Sequence, residues 1–334
     1  MLFIIFLGFL FAAIMVYASL NKFDVISGAA TLTDFTVPKV MLIAIGLGMF
    51  ILALTIDLGL ADYHIKPFVT GGLIIGGLLF GTGMAILGYC PGTLPISMGE
   101  GSLDALFGII GGIIGGVVYT ILSPALSAIT GPNLGNLSLY GMLGEQKWLF
   151  YLIVIAFGSL LIYFSFYLNR KEKSKSKKWI YAGIMFALLN TFVFMNIGAG
   201  RPIGASTSYP YFGDLLTGLT NNSYYNKIKT PGHWELWFLA GAFLGGLIIS
   251  LFRKEFKISL MTDKWIAAKG QSKTKKILWS LTAGFILVFG ARMAGGCTSG
   301  HILSGGMQFA FSSLFFSVFV FVGLLITGKY FYKK

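Results

Sequence analysis

The sequence predicts an all-α integral membrane protein, with about nine transmembrane helices and short re-entrant helices between them. Of its 334 residues, 56% are hydrophobic and only 11% are charged, and the mean hydropathy is +0.80. Soluble domains carry about a quarter of charged residues. The apolar runs also exceed the roughly ten to fourteen residues typical of a buried core helix. We therefore expect membrane-spanning helices and not the alternating strands of a porin.

Nine apolar segments are long enough to be predicted as spans. Seven of them carry charged residues only at their extreme ends, and the two exceptions contain Asp104 and Arg292. The first segment lacks a basic n-region and a small-residue cleavage site, so we expect it to remain in the mature protein. The predicted spans lie near 1–20, 40–57, 67–90, 104–127, 148–169, 179–200, 235–252, 277–296 and 305–328.

The distribution of basic residues predicts the orientation. With nine spans, one side of the membrane carries 19 of the 25 Lys and Arg residues, and the other side carries six. The positive-inside rule makes the richer side the cytoplasm, so we expect the N-terminus outside and the C-terminus in the cytoplasm. The net charge of +13 is then explained by orientation and by contact with anionic lipid, and nucleic acid is not an expected partner. The richer side comprises 21–39, 91–103, 170–178, 253–276 and the C-terminal tail.

One pattern occurs twice, and it contains the only two cysteines of the chain, Cys90 and Cys297. In each copy a glycine-rich apolar helix ends at the cysteine, and helix-breaking and hydroxyl residues follow. We expect a new short helix after each break, with Thr93, and Thr298 or Ser299, as its hydroxyl cap. Two cysteines in separate halves indicate neither a zinc site nor a disulfide framework.

The two copies indicate an internal duplication. Each half contains four predicted spans, and the single connecting span 148–169 would make the second half start from the opposite face. The predicted units are a first membrane repeat (1–147), a connecting helix with a basic cytoplasmic loop (148–178) and a second, inverted repeat (179–334). Inverted repeats with interrupted helices are typical of transporters that bind substrate near the membrane midplane.

The cysteines are the main candidates for chemistry. A free cysteine is commonly a small buried hydrophobe, but two at the same break in two copies favour a functional role. A thiol is a weak donor and a soft contact, which suits a ligand that presents sulfur, through S–H···S contact or thiol exchange. Broken backbone at membrane depth must line a cavity or be covered by protein, and helix N-termini there favour an anion. The predicted substrate-binding set is Gly88, Cys90, Pro91, Gly92, Thr93, Gly296, Cys297, Thr298 and Ser299.

Two arginines extend this set. Arg292 lies in an otherwise uncharged span shortly before Cys297. Two interpretations are open: it selects anions, or it is a helix-end side chain that snorkels to the interface. Arg201 could act at an outer vestibule or simply be solvated. His301 lacks the further ligands that a zinc site needs, so no metal is expected. No haem, quinone or nucleotide motif is visible, so no cofactor is expected either.

At the two cysteine segments and at Gly200-Arg201-Pro202-Ile203-Gly204, the chain resembles the YeeE/YedE family of bacterial inner-membrane transporters of thiosulfate and related sulfur compounds. The resemblance extends over nearly the whole chain in length and layout. It implies a narrow central path on which cysteine thiols contact the ion, with Cys90 and Cys297 as two of them. The thiosulfate importers of that family carry another cysteine just after the first helix, where Asn21 or Ser27 could replace it here.

The predicted function is therefore uptake of a small sulfur-containing anion, thiosulfate above all, and not enzymatic catalysis. The ion would pass Arg292, Thr298 and Ser299, meet Cys297 and then Cys90, and leave beside Thr93. A cytoplasmic sulfur-carrier protein is a further expected partner. The alternatives are a permease for another sulfur or selenium species, a membrane sulfurtransferase or thiol oxidoreductase that cycles covalently through both cysteines, and a structural membrane protein.

Overall fold

A computed structural model describes residues 1–143 and 146–333. Gly144 and Glu145, inside the predicted first repeat, and Lys334, counted in the basic tail, lie outside the described residues. The described chain folds into α1 (Leu2–Tyr17), α2 (Phe23–Ala30), α3 (Thr36–Asp57), α4 (Thr70–Leu87), α5 (Thr93–Gly99), α6 (Leu103–Thr130), α7 (Leu139–Leu143), α8 (Lys147–Glu172), α9 (Lys178–Phe194), α10 (Ser208–Thr217), α11 (Ser223–Phe252), α12 (Asp263–Lys269), α13 (Lys273–Met293), a π-helix (Thr298–Leu303), α14 (Ser304–Met307) and α15 (Phe311–Phe331).

Seven of these helices are long and apolar enough to cross a membrane: α3, α4, α6, α8, α11, α13 and α15. The apolar helices α1 and α9 coincide with two further predicted spans, but they have only 16 and 17 residues. The prediction of an all-helical, multi-pass membrane protein is thus confirmed. Nine spans and their arrangement as repeats stay predictions.

The seventh predicted span, 235–252, is the last part of a longer helix. Helix α11 begins at Ser223 and continues through Pro231. The Asn222 side chain caps this start, because its Oδ1 accepts a hydrogen bond of 2.7 Å from the backbone N–H three residues later. Glu235, expected at the end of a span, therefore lies inside a helix, where it is buried.

The last predicted span, 305–328, begins later than expected. Its helix starts at Phe311, and the short α14 precedes it. Phe309 separates the two with a φ of 48°, a left-handed conformation that interrupts a right-handed helix.

Two lysines assigned to cytoplasmic loops are buried inside helices. Lys39 of α3 is 1% exposed and Lys276 of α13 is fully buried. Lys39 forms an ion pair with Glu172 of α8, and the Nζ of Lys276 lies 2.9 Å from the Oδ2 of Asp104 in α6. Buried charges require such partners because leaving water is costly.

Helices α4 and α13 form the centre of the bundle and run antiparallel. A Cβ at Gly76 of α4 would lie 2.6 Å from the carbonyl oxygen of Gly290, and a Cβ at Gly290 would lie 2.7 Å from that of Gly76. A Cβ at Gly83 would lie 2.7 Å from the backbone nitrogen of Leu287. The two backbones thus touch at glycines, the close packing that small residues allow between membrane helices.

The outer helices pack in a reciprocal manner around this pair. Helix α1 packs on α11, while α9 packs on α3, and α4 packs on α15, while α13 packs on α6. The order of long and short helices is also the same from α1 to α6 as from α9 to α15, apart from the additional short helix α12.

Candidate functional site

The first helix break holds Cys90 in a short turn. Helix α4 ends when Gly88 adopts a φ of 75°, a conformation that glycine accepts without strain. The Cys90 N–H donates to the Thr93 hydroxyl (2.9 Å), which in turn lies 3.1 Å from the Cys90 carbonyl oxygen and 3.5 Å from its sulfur. The prediction that Thr93 caps the new helix is wrong. Gly92 occupies the cap position, and the Thr93 hydroxyl is used by the turn that carries the thiol.

The second break repeats this geometry. Gly295 adopts a φ of 77° two residues before Cys297, as Gly88 does two residues before Cys90. The Cys297 carbonyl accepts a hydrogen bond of 2.7 Å from the backbone N–H of His301 in the π-helix. Neither Thr298 nor Ser299 caps that helix, contrary to prediction, because Cys297 itself is the cap residue. The Ser299 hydroxyl lies instead 3.2 Å from the Cys297 sulfur.

The two breaks come together in the protein interior. The Cys90 thiol lies close to the side chain of Thr298 and in the neighbourhood of Cys297. Tyr209 of α10 lies near both thiols, and its hydroxyl donates to the Pro91 carbonyl over 2.8 Å. Both cysteines are free, with exposures of 9% and 1%. The predicted thiol and hydroxyl residues therefore line one buried region.

Arg292 borders this region from the end of α13. It is only 8% exposed, so the snorkelling interpretation is wrong. Its Nε donates to the Tyr224 hydroxyl (2.8 Å), and its Nη1 donates to the hydroxyls of Ser206 (3.1 Å) and Thr207 (3.0 Å). All these partners are uncharged, so none of them neutralises the positive charge of the guanidinium.

Arg201, by contrast, is paired with a carboxylate. Its Nη2 lies 3.4 Å from the Oε1 of Glu235, and its guanidinium stacks 4.5 Å from the ring centre of Trp234. The other Glu235 oxygen accepts a 2.6 Å hydrogen bond from the Thr207 N–H. Arg201 is 20% exposed on its side chain, so it lies beside the site as part of a largely neutralised group.

Lys66 is a site residue that the sequence analysis missed. It lies in the loop between α3 and α4, and its Nζ donates to the Gly295 carbonyl over 2.5 Å. A Cβ at Gly296 would lie 2.5 Å from this Nζ, so the glycine leaves room for the ammonium. The Ser312 hydroxyl fixes the loop by donating to the Lys66 carbonyl (2.9 Å). Lys66 is a single basic residue in a loop and belongs to no motif or periodic pattern. Nothing in the sequence therefore indicated that it would lie at the site.

The Lys66 ammonium has a lower pKa than an ordinary lysine. Burial lowers the pKa of Lys66 to about 8, and the positive charges of Arg292 and Arg201 lower it as well, whereas Cys297 and Glu235 act in the opposite direction. Burial disfavours the charged form of a lysine, and an anion placed beside it would restore that form.

His301 is held within the protein framework. Its Nε2–H donates to the Ala294 carbonyl (2.8 Å), which fixes the tautomer, and its Nδ1 accepts from the Ser313 hydroxyl (3.0 Å). Both ring nitrogens thus have partners. Within residues 1–143 and 146–333, no group of three His, Cys, Asp or Glu side chains is placed to hold a metal ion.

Asn21 and Ser27, the residues near the expected third cysteine, contact other protein groups. The Asn21 amide donates to the Oε2 of Glu100 (2.7 Å), which also accepts from Lys22 at 2.7 Å. The Ser27 hydroxyl donates to the Asp24 carbonyl of its own helix (3.4 Å). Both residues are fully buried.

Two comparisons show which known proteins the chain is similar to. A family model described as sulphur transport matches residues 23–326, which include both cysteines. The chain is also 25% identical, over 334 residues, to the thiosulfate transporter TsuA of Spirochaeta thermophila, and the match covers 95% of this chain and 94% of that protein.

Proposed function

Since the chain belongs to the sulphur transport family, also called YeeE/YedE, we propose that it imports thiosulfate across the bacterial inner membrane. The family match and the apolar helices together identify a multi-pass membrane protein of a sulfur-compound transport family. The name of the relative supports thiosulfate as the particular substrate. The dianion combines diffuse negative charge with a terminal sulfur, and the candidate site offers cations and thiols.

The observation that carries this proposal is that the two cysteine turns lie close together in the protein interior. Cys90 and Cys297 follow equivalent glycine turns, and Thr298 lies beside the Cys90 sulfur. An ion that enters from the Lys66 side would contact Cys297 first, then Cys90, and would leave beside Thr93. Two weak donors in series bind the ion loosely enough to release it, as conduction requires.

Two positive charges make the entrance selective for anions. In the part of the chain that the structure describes, neither Lys66 nor Arg292 has a carboxylate within 4 Å. Arg292 is buried and Lys66 is half-buried, so their surroundings screen these charges less than water would, and the charges attract an anion more strongly. Arg201 contributes less because Glu235 neutralises it.

We also propose that the halves are inverted repeats with the predicted boundaries 1–147, 148–178 and 179–334. The same order of long and short helices and the reciprocal packing of α1 on α11 and α9 on α3 support this arrangement. The left-handed glycine two residues before each cysteine supports it further. Helix α8 would then be the connecting span.

The proposed orientation has the N-terminus outside and the basic loops in the cytoplasm. It is supported by the excess of Lys and Arg in those loops. A tag at each terminus, probed with an impermeant protease in intact spheroplasts, tests it: only the N-terminal tag should be cleaved. Docking of a sulfur-carrier protein on the basic face stays a prediction.

The transport proposal is tested by uptake of radiolabelled thiosulfate into proteoliposomes that contain the purified protein. We expect Cys297→Ala and Cys90→Ala each to reduce uptake at least tenfold. This factor corresponds to the loss of about one hydrogen bond to a charged ligand. Ser127→Ala, an exposed hydroxyl deletion near the end of α6, is the matched control and should leave uptake unchanged. Full uptake in both cysteine variants would contradict the proposed path.

Competition and mass spectrometry separate the alternatives. Sulfate, which lacks a terminal sulfur, should compete poorly, and sulfite and tetrathionate define the permitted size and chemistry. A persulfide or mixed disulfide that accumulates on Cys90 or Cys297 during turnover would favour the covalent sulfurtransferase or oxidoreductase mechanism over passage of the intact ion.

A further inference from the structure

A buried ion pair joins α6 and α13 at the end of the bundle opposite Lys66. The Nζ of Lys276 lies 2.9 Å from the Oδ2 of Asp104, and the two side chains are only 1% and 3% exposed. A buried pair adds little stability compared with apolar residues of the same volume, so it is weak as a purely structural device. Both residues lie near the start of a helix long and apolar enough to span the membrane, and ionisable groups inside such helices are, by default, functional candidates.

Three aromatic side chains enclose this pair. The Lys276 Nζ lies 4.3 Å from the ring centres of Phe23 and Trp265, within the range of cation–π attraction. The Tyr89 hydroxyl donates to Asp104, with its oxygen 3.3 Å from Oδ1. We call Phe23, Tyr89, Asp104, Trp265 and Lys276 the inner cluster. Its members come from four helices and from the turn that carries Cys90.

The inner cluster lies directly against the Cys90 turn. Tyr89 precedes Cys90 in the chain, and the ring of Phe23 packs against Gly88, where any Cβ would collide with it. No member of the cluster is more than 2% exposed as a residue. On the other side of Cys90, Thr298 is partly exposed and Lys66 is only half-buried. The region around the thiols is therefore covered most completely on the inner-cluster side.

We propose that the inner cluster is the inner gate of the path, and that Lys276 passes from Asp104 to the translocated anion when the gate opens. This inference rests on the proposed transport function. The ammonium would exchange one anionic partner for another and never be left unpaired in a dry site. Asp104 would keep the Tyr89 hydroxyl as a donor during the exchange. Helix α12 carries Trp265, is short and is not one of the spanning helices. It would therefore be the element that moves to uncover the ion pair when the gate opens.

The gate can be tested without measuring transport, because the chain has only two cysteines. In a Cys297→Ala background, Cys90 is the single thiol, and an impermeant thiol-reactive sulfonate is applied to the inner-cluster face of oriented membranes. We expect slow labelling in this parent. Asp104→Asn should accelerate labelling by about tenfold or more. Losing one charge-assisted hydrogen bond destabilises the closed gate and shifts its open–closed equilibrium by about that factor.

A double variant and a control keep the test decisive. Asp104→Leu/Lys276→Met removes both charges, avoids leaving one of them buried alone, and should also accelerate labelling. Lys273→Met removes an exposed positive charge from the same helix turn and should leave the rate unchanged. Unchanged labelling in both Asp104→Asn and the double variant would overturn the gate.

Uptake assays then assign the anion step to Lys276. With Cys297 intact, Lys276→Arg should retain thiosulfate uptake, whereas the double variant should lose at least nine-tenths of it, about the effect of one lost charged contact. Uptake by the double variant equal to that of the natural chain would refute the exchange. If the natural chain itself takes up no thiosulfate, the transport proposal fails, while the labelling rates still decide whether the cluster is a gate.

Discussion

Thiosulfate uptake should weaken as the external pH rises through 8, because Lys66 loses its charge in this range. Burial and the neighbouring arginines place the pKa of Lys66 at about 8. A single group with that pKa is about nine-tenths protonated at pH 7 and about one-tenth protonated at pH 9. If only the ammonium form admits the ion, the KM for uptake rises about tenfold between these pH values, while kcat changes little.

The sign of the effect follows from the lowered pKa. The neutral amine forms below the usual lysine range, so the attraction is present at pH 7 and lost above pH 8. The other groups that face Lys66 are Arg292, Arg201, Glu235, Cys297 and His301. Thiosulfate itself stays a dianion throughout, and Arg292 and Arg201 stay charged.

The assay is initial uptake into proteoliposomes at low thiosulfate concentration, with the internal pH fixed and the external pH varied. Lys66→Arg should keep its charge and flatten the profile up to pH 9, and Lys66→Met should be poor and nearly pH-independent. Lys227→Met, which removes an exposed lysine from α11, should behave like the natural chain. Identical profiles for the natural chain and Lys66→Arg would refute the role of Lys66.

Two further predictions concern the arginine and the glycine crossing. Arg292→Met should reduce uptake by about tenfold to a hundredfold, because the hydrogen-bonded guanidinium is the permanent positive charge of the site. Arg292→Lys, which keeps a positive charge, should retain part of the uptake. Uptake unaffected by either change would exclude an anion-binding role. Gly290→Ala should destabilise the protein by about 1–3 kcal/mol, since its Cβ would lie 2.7 Å from the Gly76 carbonyl. A lower melting temperature in detergent checks this, with Gly141→Ala, where the Cβ has room, as the control.

Hydropathy and glycine spacing were sufficient to predict the membrane class and the position of both cysteine breaks. Each break follows from local chemistry, because a glycine in the left-handed conformation ends the helix two residues before each cysteine. The actual partners of the Thr93 and Ser299 hydroxyls could not be predicted in this way, and the prediction that they cap helices was wrong. Each hydroxyl has two competing partners, the helix amides and the nearby cysteine, and the tertiary position of the turn decides between them.

Charged residues were harder to place than apolar ones. Lys276 was assigned to a loop because a lysine near a helix end is usually solvated, yet a carboxylate far away in sequence stabilises it inside. Glu235 was taken as the first residue of a span. The helix instead continues upstream through Pro231, although proline usually interrupts a helix. Lys66 reaches the site from a loop, and only the fold brings it to Gly295.

The backbone contact between α4 and α13 restricts how cargo can cross. Each of these helices carries one cysteine turn at its end, and the carbonyl of each lies against a glycine of the other. A rocker-switch carrier would have to separate its halves at this seam and break the contacts along it. If this seam stays closed, only side chains, turns and short helices move, and turnover should have a low activation enthalpy and resemble a gated pore in its temperature dependence.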